Sequence, residues 1–135
     1  MQLTMITAGM LGLLIVVLGL RVSAIRRSAH VSLGDGGNPL LEERIRAHGN
    51  AVETIPIALI LLGLAERALG QPWYLVAMAV VLVVSRLIHP IGMARPSPNA
   101  ARVLGILGTW SVIGILALIL IGSGIRLCRA CLLGA

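Results

Sequence analysis

Four apolar runs, separated by polar and turn-forming residues, organise the chain. The first extends from about Leu3 to Leu20 and meets no charge before Arg21. The second, from about Leu40 to Leu69, has a polar first half and an apolar second half. The third covers about Trp73 to Ile91, and the fourth about Arg102 to Ile125. Each is long enough to cross a bilayer as a helix, which takes roughly 20 mostly apolar residues. The connections are "SLGDGGNP" (Ser32 to Pro39), Gly70-Gln71-Pro72, and "ARPSPNA" (Ala94 to Ala100), in which Asn99 is placed to cap the last helix. Connections this short make successive helices antiparallel neighbours. The pattern predicts helices over about 3–25, 40–69, 73–92 and 101–125, with a C-terminal tail over 126–135, in one domain spanning 1–135. The fold class is an all-α membrane protein, an up-down bundle of four transmembrane helices.

Composition agrees. Of 135 residues, 58% are hydrophobic and 12% charged, and the mean hydropathy is +1.00. A soluble domain of this size cannot hide so much apolar surface. The first run carries its arginines (Arg21, Arg26, Arg27) after the apolar segment rather than before it, which argues for a retained helix over a cleaved signal peptide. All eleven basic residues are arginine and the formal charge is +6. No basic run exceeds two residues and no aromatics interleave, so nucleic acid is not an expected partner. Arginine counts favour both longer loops on the cytoplasmic side of the membrane and both termini outside, with Arg126 and Arg129 in the tail as the opposing signal. Cys128 and Cys131 form a lone C-x-x-C, read as two tail thiols or a local disulfide before a metal or redox site.

Antiparallel threading brings ionisable residues of all four helices to the cytoplasmic leaflet: Arg21 from the first, Glu42 to Glu53 from the second, Arg86 and His89 from the third, and Arg102 from the fourth. Such residues inside a membrane normally face the bundle or a wet cavity and mark function. At 100° per residue, Glu42, Arg46, Asn50 and Glu53 fall on about one quarter of the second helix. Arg44 and His48 project from nearly the opposite side, and their role stays open. Without a ligand, Arg46 and Glu53 could be a structural ion pair and the histidines hydrogen-bonded packing residues. No metal is expected, because no carboxylate sits at a ligand spacing with the histidines.

Arginine forks hold carboxylates, Glu53 could hold an ammonium, and Asn50 can both donate and accept. These groups suit a polyanionic ligand that also carries an amine. Glutathione has that make-up, and so, on chemistry alone, do phospholipid head groups and dipeptides.

"RIRAHGNAVETIP" (44–56) resembles the second-helix motif R-A-H-x-N-x-x-E-x-x-P of the MAPEG superfamily, the membrane-associated proteins in eicosanoid and glutathione metabolism. "SRLIHPIG" resembles the family's third-helix R-x-x-H segment, and "VSLGDGGNPLLEERIRAH" is similar to the loop and second-helix start of its small bacterial members. The resemblance covers nearly the whole chain. It implies a homotrimer that binds glutathione between subunits near the cytoplasmic side of a bacterial inner membrane. It further implies that Arg21, Arg46, Asn50, Glu53, Arg86 and His89 bind glutathione and that Arg102 stabilises its thiolate for attack on a lipophilic electrophile or hydroperoxide. Met93 stands where eicosanoid-making members carry tyrosine, so prostaglandin or leukotriene synthesis is not implied. Gly49 replaces a basic residue that some members place between the histidine and the asparagine.

The expected function is therefore a glutathione transferase or peroxidase acting on lipophilic small molecules. A second expectation is a non-catalytic relative that binds membrane lipid or a partner protein. A small multidrug transporter fits less well, because that family needs a membrane glutamate in its first helix and this chain has none there. Ala101, Gly105 and Thr109 are spaced small-xxx-small, which suits helix contacts either between copies or within one.

Overall fold

The computed structural model describes residues 1–96 and 98–132. Four helices follow one another: α1 (Gln2–Ala29), α2 (Pro39–Leu69), α3 (Trp73–Met93) and α4 (Ala100–Leu132). α2 and α3 form the centre, each packing on all three other helices, whereas α1 and α4 do not touch among the described residues. The core is aliphatic and runs the length of the bundle, from Leu11 and Leu18 through Ile55, Leu62, Leu75 and Leu82 to Leu116. Outside it, large apolar side chains point outward: Met5 is 72% exposed, Leu118 71% and Trp110 62%. Such a surface belongs in lipid. α1, α3 and Ala100–Arg129 of α4 are each long and apolar enough to cross a membrane. α2, at 31 residues, has the length but carries most of its charges in its first half. The fold is thus the expected all-α membrane bundle.

Local chemistry sets the helix ends. Asn38 caps α2, its Oδ1 accepting from the backbone N–H groups of Leu40 and Leu41 at 3.0 and 3.2 Å, and Pro39 follows where no N–H is needed. Asn99 caps α4 as expected, accepting from Arg102 N at 3.0 Å. Its Nδ2 also donates to the carbonyls of Gly92 (2.8 Å) and Pro96 (3.1 Å), so one amide joins the end of α3 to the start of α4. α1 closes on His30 in the left-handed region (φ 54°), with Val31 N donating back to Arg26 O at 3.0 Å.

Two boundaries differ from the sequence expectation. α1 continues to Ala29, and α4 runs to Leu132 instead of stopping near 125. The residues expected as a tail, including Arg126, Cys128, Arg129 and Cys131, are helical. No proline or left-handed glycine interrupts 125–132, so the loss of hydropathy there did not end the helix. Both cysteines are free and exposed. The end of the expected tail, 133–135, lies outside the described residues.

Small residues on α4 serve contacts within the subunit. A Cβ added at Gly105 would lie 2.7 Å from His89 Cβ, and one at Gly92 would lie 2.2 Å from Arg102 N. α3 and α4 therefore meet backbone to backbone beside the polar residues, with Thr109 fully buried in the same seam.

At the opposite end, Glu66 holds the beginning of α1. Its carboxylate accepts from Leu3 N (3.1 Å), Thr4 N (2.8 Å), Thr4 Oγ1 (2.6 Å) and Gln71 Nε2 (2.6 Å). Glu66 is 4% exposed, and it satisfies the free N–H groups of the first turn of α1. The sequence alone assigned it no such role. Glu66→Ala is expected to destabilise the bundle by about 3 kcal/mol, because charge-assisted bonds contribute about 1.5–3 kcal/mol each and their donors would be stranded. Equilibrium unfolding in detergent measures this.

Candidate functional site

A cavity of about 560 Å³ opens at the end of the bundle where α1 joins α2 and α3 joins α4. Its volume lies in the range of small-molecule sites. α2 supplies Glu42, Arg46, Asn50 and Glu53, the whole of the stripe read from its spacing, together with Ile45 and Gly49. α3 supplies His89 and Met93, and α4 supplies Arg102 and Ile106. Five of the seven expected site residues therefore share one cavity: Arg46, Asn50, Glu53, His89 and Arg102.

The other two stand elsewhere. Arg86 is 2% exposed and sits behind the wall. Its Nη1 donates to Asn50 Oδ1 (2.8 Å) and Thr54 Oγ1 (2.9 Å), and its Nη2 donates to Gly105 O (2.8 Å). Thr54 in turn donates to Asn50 O at 2.7 Å. Arg86 thus joins α2, α3 and α4 under the cavity floor, and its Nε is buried without a hydrogen-bond partner. Arg21 is exposed on α1 and does not line the cavity in this subunit.

The faces of α2 divide as the spacing predicts. His48 points to α1, where a Cβ added at Gly19 would be 3.3 Å from its Nε2. Arg44 lies 3.2 Å from Glu43, with both side chains largely covered. The two residues left open by the sequence are therefore packed away from the cavity. Arg46 pairs with Glu42, 3.7 Å away in its own helix, rather than with Glu53. Both members of that pair are more than half exposed, so it adds little stability and leaves Arg46 free to turn to a ligand.

Sequence reasoning missed Asp35, Met93 as a wall residue, and Thr54. Asp35 reaches the cavity because the loop folds over the α2 stripe. Its Oδ1 accepts from Gly37 N (3.3 Å), Gly34, Gly36 and Gly37 all adopt positive φ, and Arg26 Nη1 fixes Gly34 O at 2.7 Å. Three such glycines in four residues could have signalled a loop that doubles back. Thr54 could have been found from its i+4 position relative to Asn50.

The cavity thus presents the guanidinium groups of Arg46 and Arg102 and the carboxylates of Asp35, Glu42 and Glu53. Its charge is mixed, with one more acid than the α2 stripe alone supplies. Such a lining suits a ligand bearing both carboxylate and ammonium groups better than a simple anion. Ile45, Met93 and Ile106 add an apolar side.

Two curated proteins match the chain: the inner membrane protein YecN of Escherichia coli K12 and its counterpart in Escherichia coli O6:H1. Each is 39% identical over 80 residues, 59% of this chain and 61% of the relative. The matched segment therefore spans less than two thirds of those relatives. The MAPEG family matches over residues 4–122, which takes in α2 and α3, most of α1 and α4, and the entire cavity lining. This chain is an integral membrane protein and belongs to the MAPEG family.

Proposed function

We propose that the protein binds glutathione in this cavity and uses it as a transferase or peroxidase on lipophilic electrophiles or hydroperoxides. The carrying observation is the union of Arg46, Asn50 and Glu53 from α2 with His89 from α3 and Arg102 from α4 around one cavity. Glutathione carries two carboxylates, one ammonium and a thiol. Arg46 and Asn50 suit the carboxylates, and Glu53, seconded by Asp35, suits the ammonium. When bound, glutathione supplies a thiolate nucleophile or reductant. Arg102 would favour the charged form of the thiol in a poorly hydrated site.

A homotrimer in a bacterial inner membrane, with the site near the cytoplasmic leaflet and both termini outside, completes the proposal. Glu53 is exposed on the single subunit midway along α2, a position costly for a charge facing lipid. A neighbouring copy that covers the open side removes this cost, and Arg21, exposed on α1, is free to meet a ligand across that interface.

Met93 supports a second reading, a non-catalytic lipid- or partner-binding protein, because a thioether in the cavity wall donates no proton to an oxygenated substrate. The two readings separate in turnover assays. The purified protein in detergent is expected to conjugate glutathione to a chlorodinitrobenzene-type electrophile, or to reduce a lipid hydroperoxide, faster than the uncatalysed background. Saturable glutathione binding with neither product would establish the second reading.

A further inference from the structure

A guanidinium group has only N–H donors, so the atom of the Asn50 amide 2.8 Å from Arg86 Nη1 must be its oxygen. The other end of that amide, the NH2, is then left for the cavity that Asn50 lines. Among the described residues, Asn50 Nδ2 donates to no protein group. Arg86 itself cannot swing, since it is 2% exposed and also bonded to Thr54 Oγ1 and Gly105 O. Thr54 holds the same turn from below by donating to Asn50 O at 2.7 Å. An asparagine free in solution offers donor and acceptor equally, whereas this one has been committed to one face.

We infer that Arg86 is a positioning residue that locks the Asn50 amide with its NH2 toward the cavity, so that Asn50 recognises a carboxylate of the ligand as a pure donor. Arg86 then acts through Asn50 rather than by touching the ligand, in contrast to the binding role expected from the sequence. The inference rests on the reading of the cavity as a glutathione site for the identity of the ligand, but not for the orientation of the amide.

The test measures binding of glutathione and of its two monocarboxamides, at the glycyl and at the γ-glutamyl end, together with thermal unfolding in detergent. Wild type is expected to bind one of the two carboxamides at least tenfold more weakly than glutathione, because an amide end offers a poorer acceptor. In Arg86→Met the Asn50 amide is free to turn, and that discrimination is expected to fall to within about threefold. Asn50→Asp places a carboxylate against Arg86 and an acceptor in the cavity. It is expected to melt at or above wild type, well above Asn50→Leu, while losing glutathione affinity at least tenfold and preferring the carboxamide. Arg86→Met weakening all three ligands equally would overturn the inference, as would Asn50→Asp melting as low as Asn50→Leu. Should Arg86→Met not fold, the Asn50 variants decide alone. Should wild type bind none of the three ligands, the glutathione reading fails, and the melting order of the Asn50 variants still upholds or refutes the locked amide.

Discussion

Arg102→Ala is expected to abolish most of the glutathione-dependent turnover while leaving the protein folded. Arg102 lines the cavity, and its side chain makes no hydrogen bond or ion pair among the described residues, so its removal strands no protein partner. Its backbone N–H, the group that Asn99 caps, is kept in the alanine variant. On the proposed reading, what disappears is the positive charge beside the glutathione thiol. A free thiol titrates near 8.5, so at pH 7 only about 3% is ionised, against a majority when a nearby cation and poor hydration favour the anion. The rate at pH 7 should fall about thirtyfold from this term alone. The sign fixes the pH dependence. A thiol whose pKa is lowered in the site is already ionised below its free value, so wild-type activity should be flat across neutral pH. In Arg102→Ala the activity should instead rise with pH toward about 8.5. Stopped-flow rates with a model electrophile across pH check both statements, and a variant whose pH profile overlays wild type would remove Arg102 from the thiol's surroundings.

The second large effect concerns Glu53. Glu53→Ala is expected to weaken glutathione binding by about tenfold to a hundredfold, because a hydrogen bond to a charged group contributes about 1.5–3 kcal/mol. N-acetylglutathione, which lacks the ammonium, should bind wild type and Glu53→Ala alike. Asp35 can soften the loss, since the loop brings a second carboxylate to the same cavity, and Asp35→Asn combined with Glu53→Ala should be weaker than either alone. Equal losses for both ligands in Glu53→Ala would show that Glu53 shapes the cavity rather than holding the amine.

The site was legible where its residues share one helix. Glu42, Arg46, Asn50 and Glu53 recur at helical spacing, so the stripe, and the turning away of Arg44 and His48, followed from 100° per residue. Asn99 announced the start of α4 by its side-chain chemistry, whereas the cap that Asn38 gives α2 came only with the structure. His89 and Arg102 could be brought to the same cavity by antiparallel threading, which fixes the level along the bundle but not the direction a side chain faces. That gap explains Arg86, which sits at the same level yet points into the α2–α4 seam because Asn50, Thr54 and the Gly105 carbonyl satisfy it there. Arg21 likewise shares the leaflet but not the cavity. In the sequence Glu66 is one charge at a helix end, and only the fold places the first turn of α1 against it. The length of α4 was missed because hydropathy, which reports on lipid, was used to end a helix that no backbone feature ends.

That the cavity binds a thiol tripeptide is the central proposal, and the most direct measurement is a titration of the purified wild-type protein with glutathione at pH 7, followed by ultraviolet thiolate absorbance. Saturable binding accompanied by a proportional rise in thiolate, with the rise lost in Arg102→Ala and the affinity lowered in Glu53→Ala, is the predicted result. No saturable signal with the folded protein, or binding that both variants leave unchanged, would contradict it.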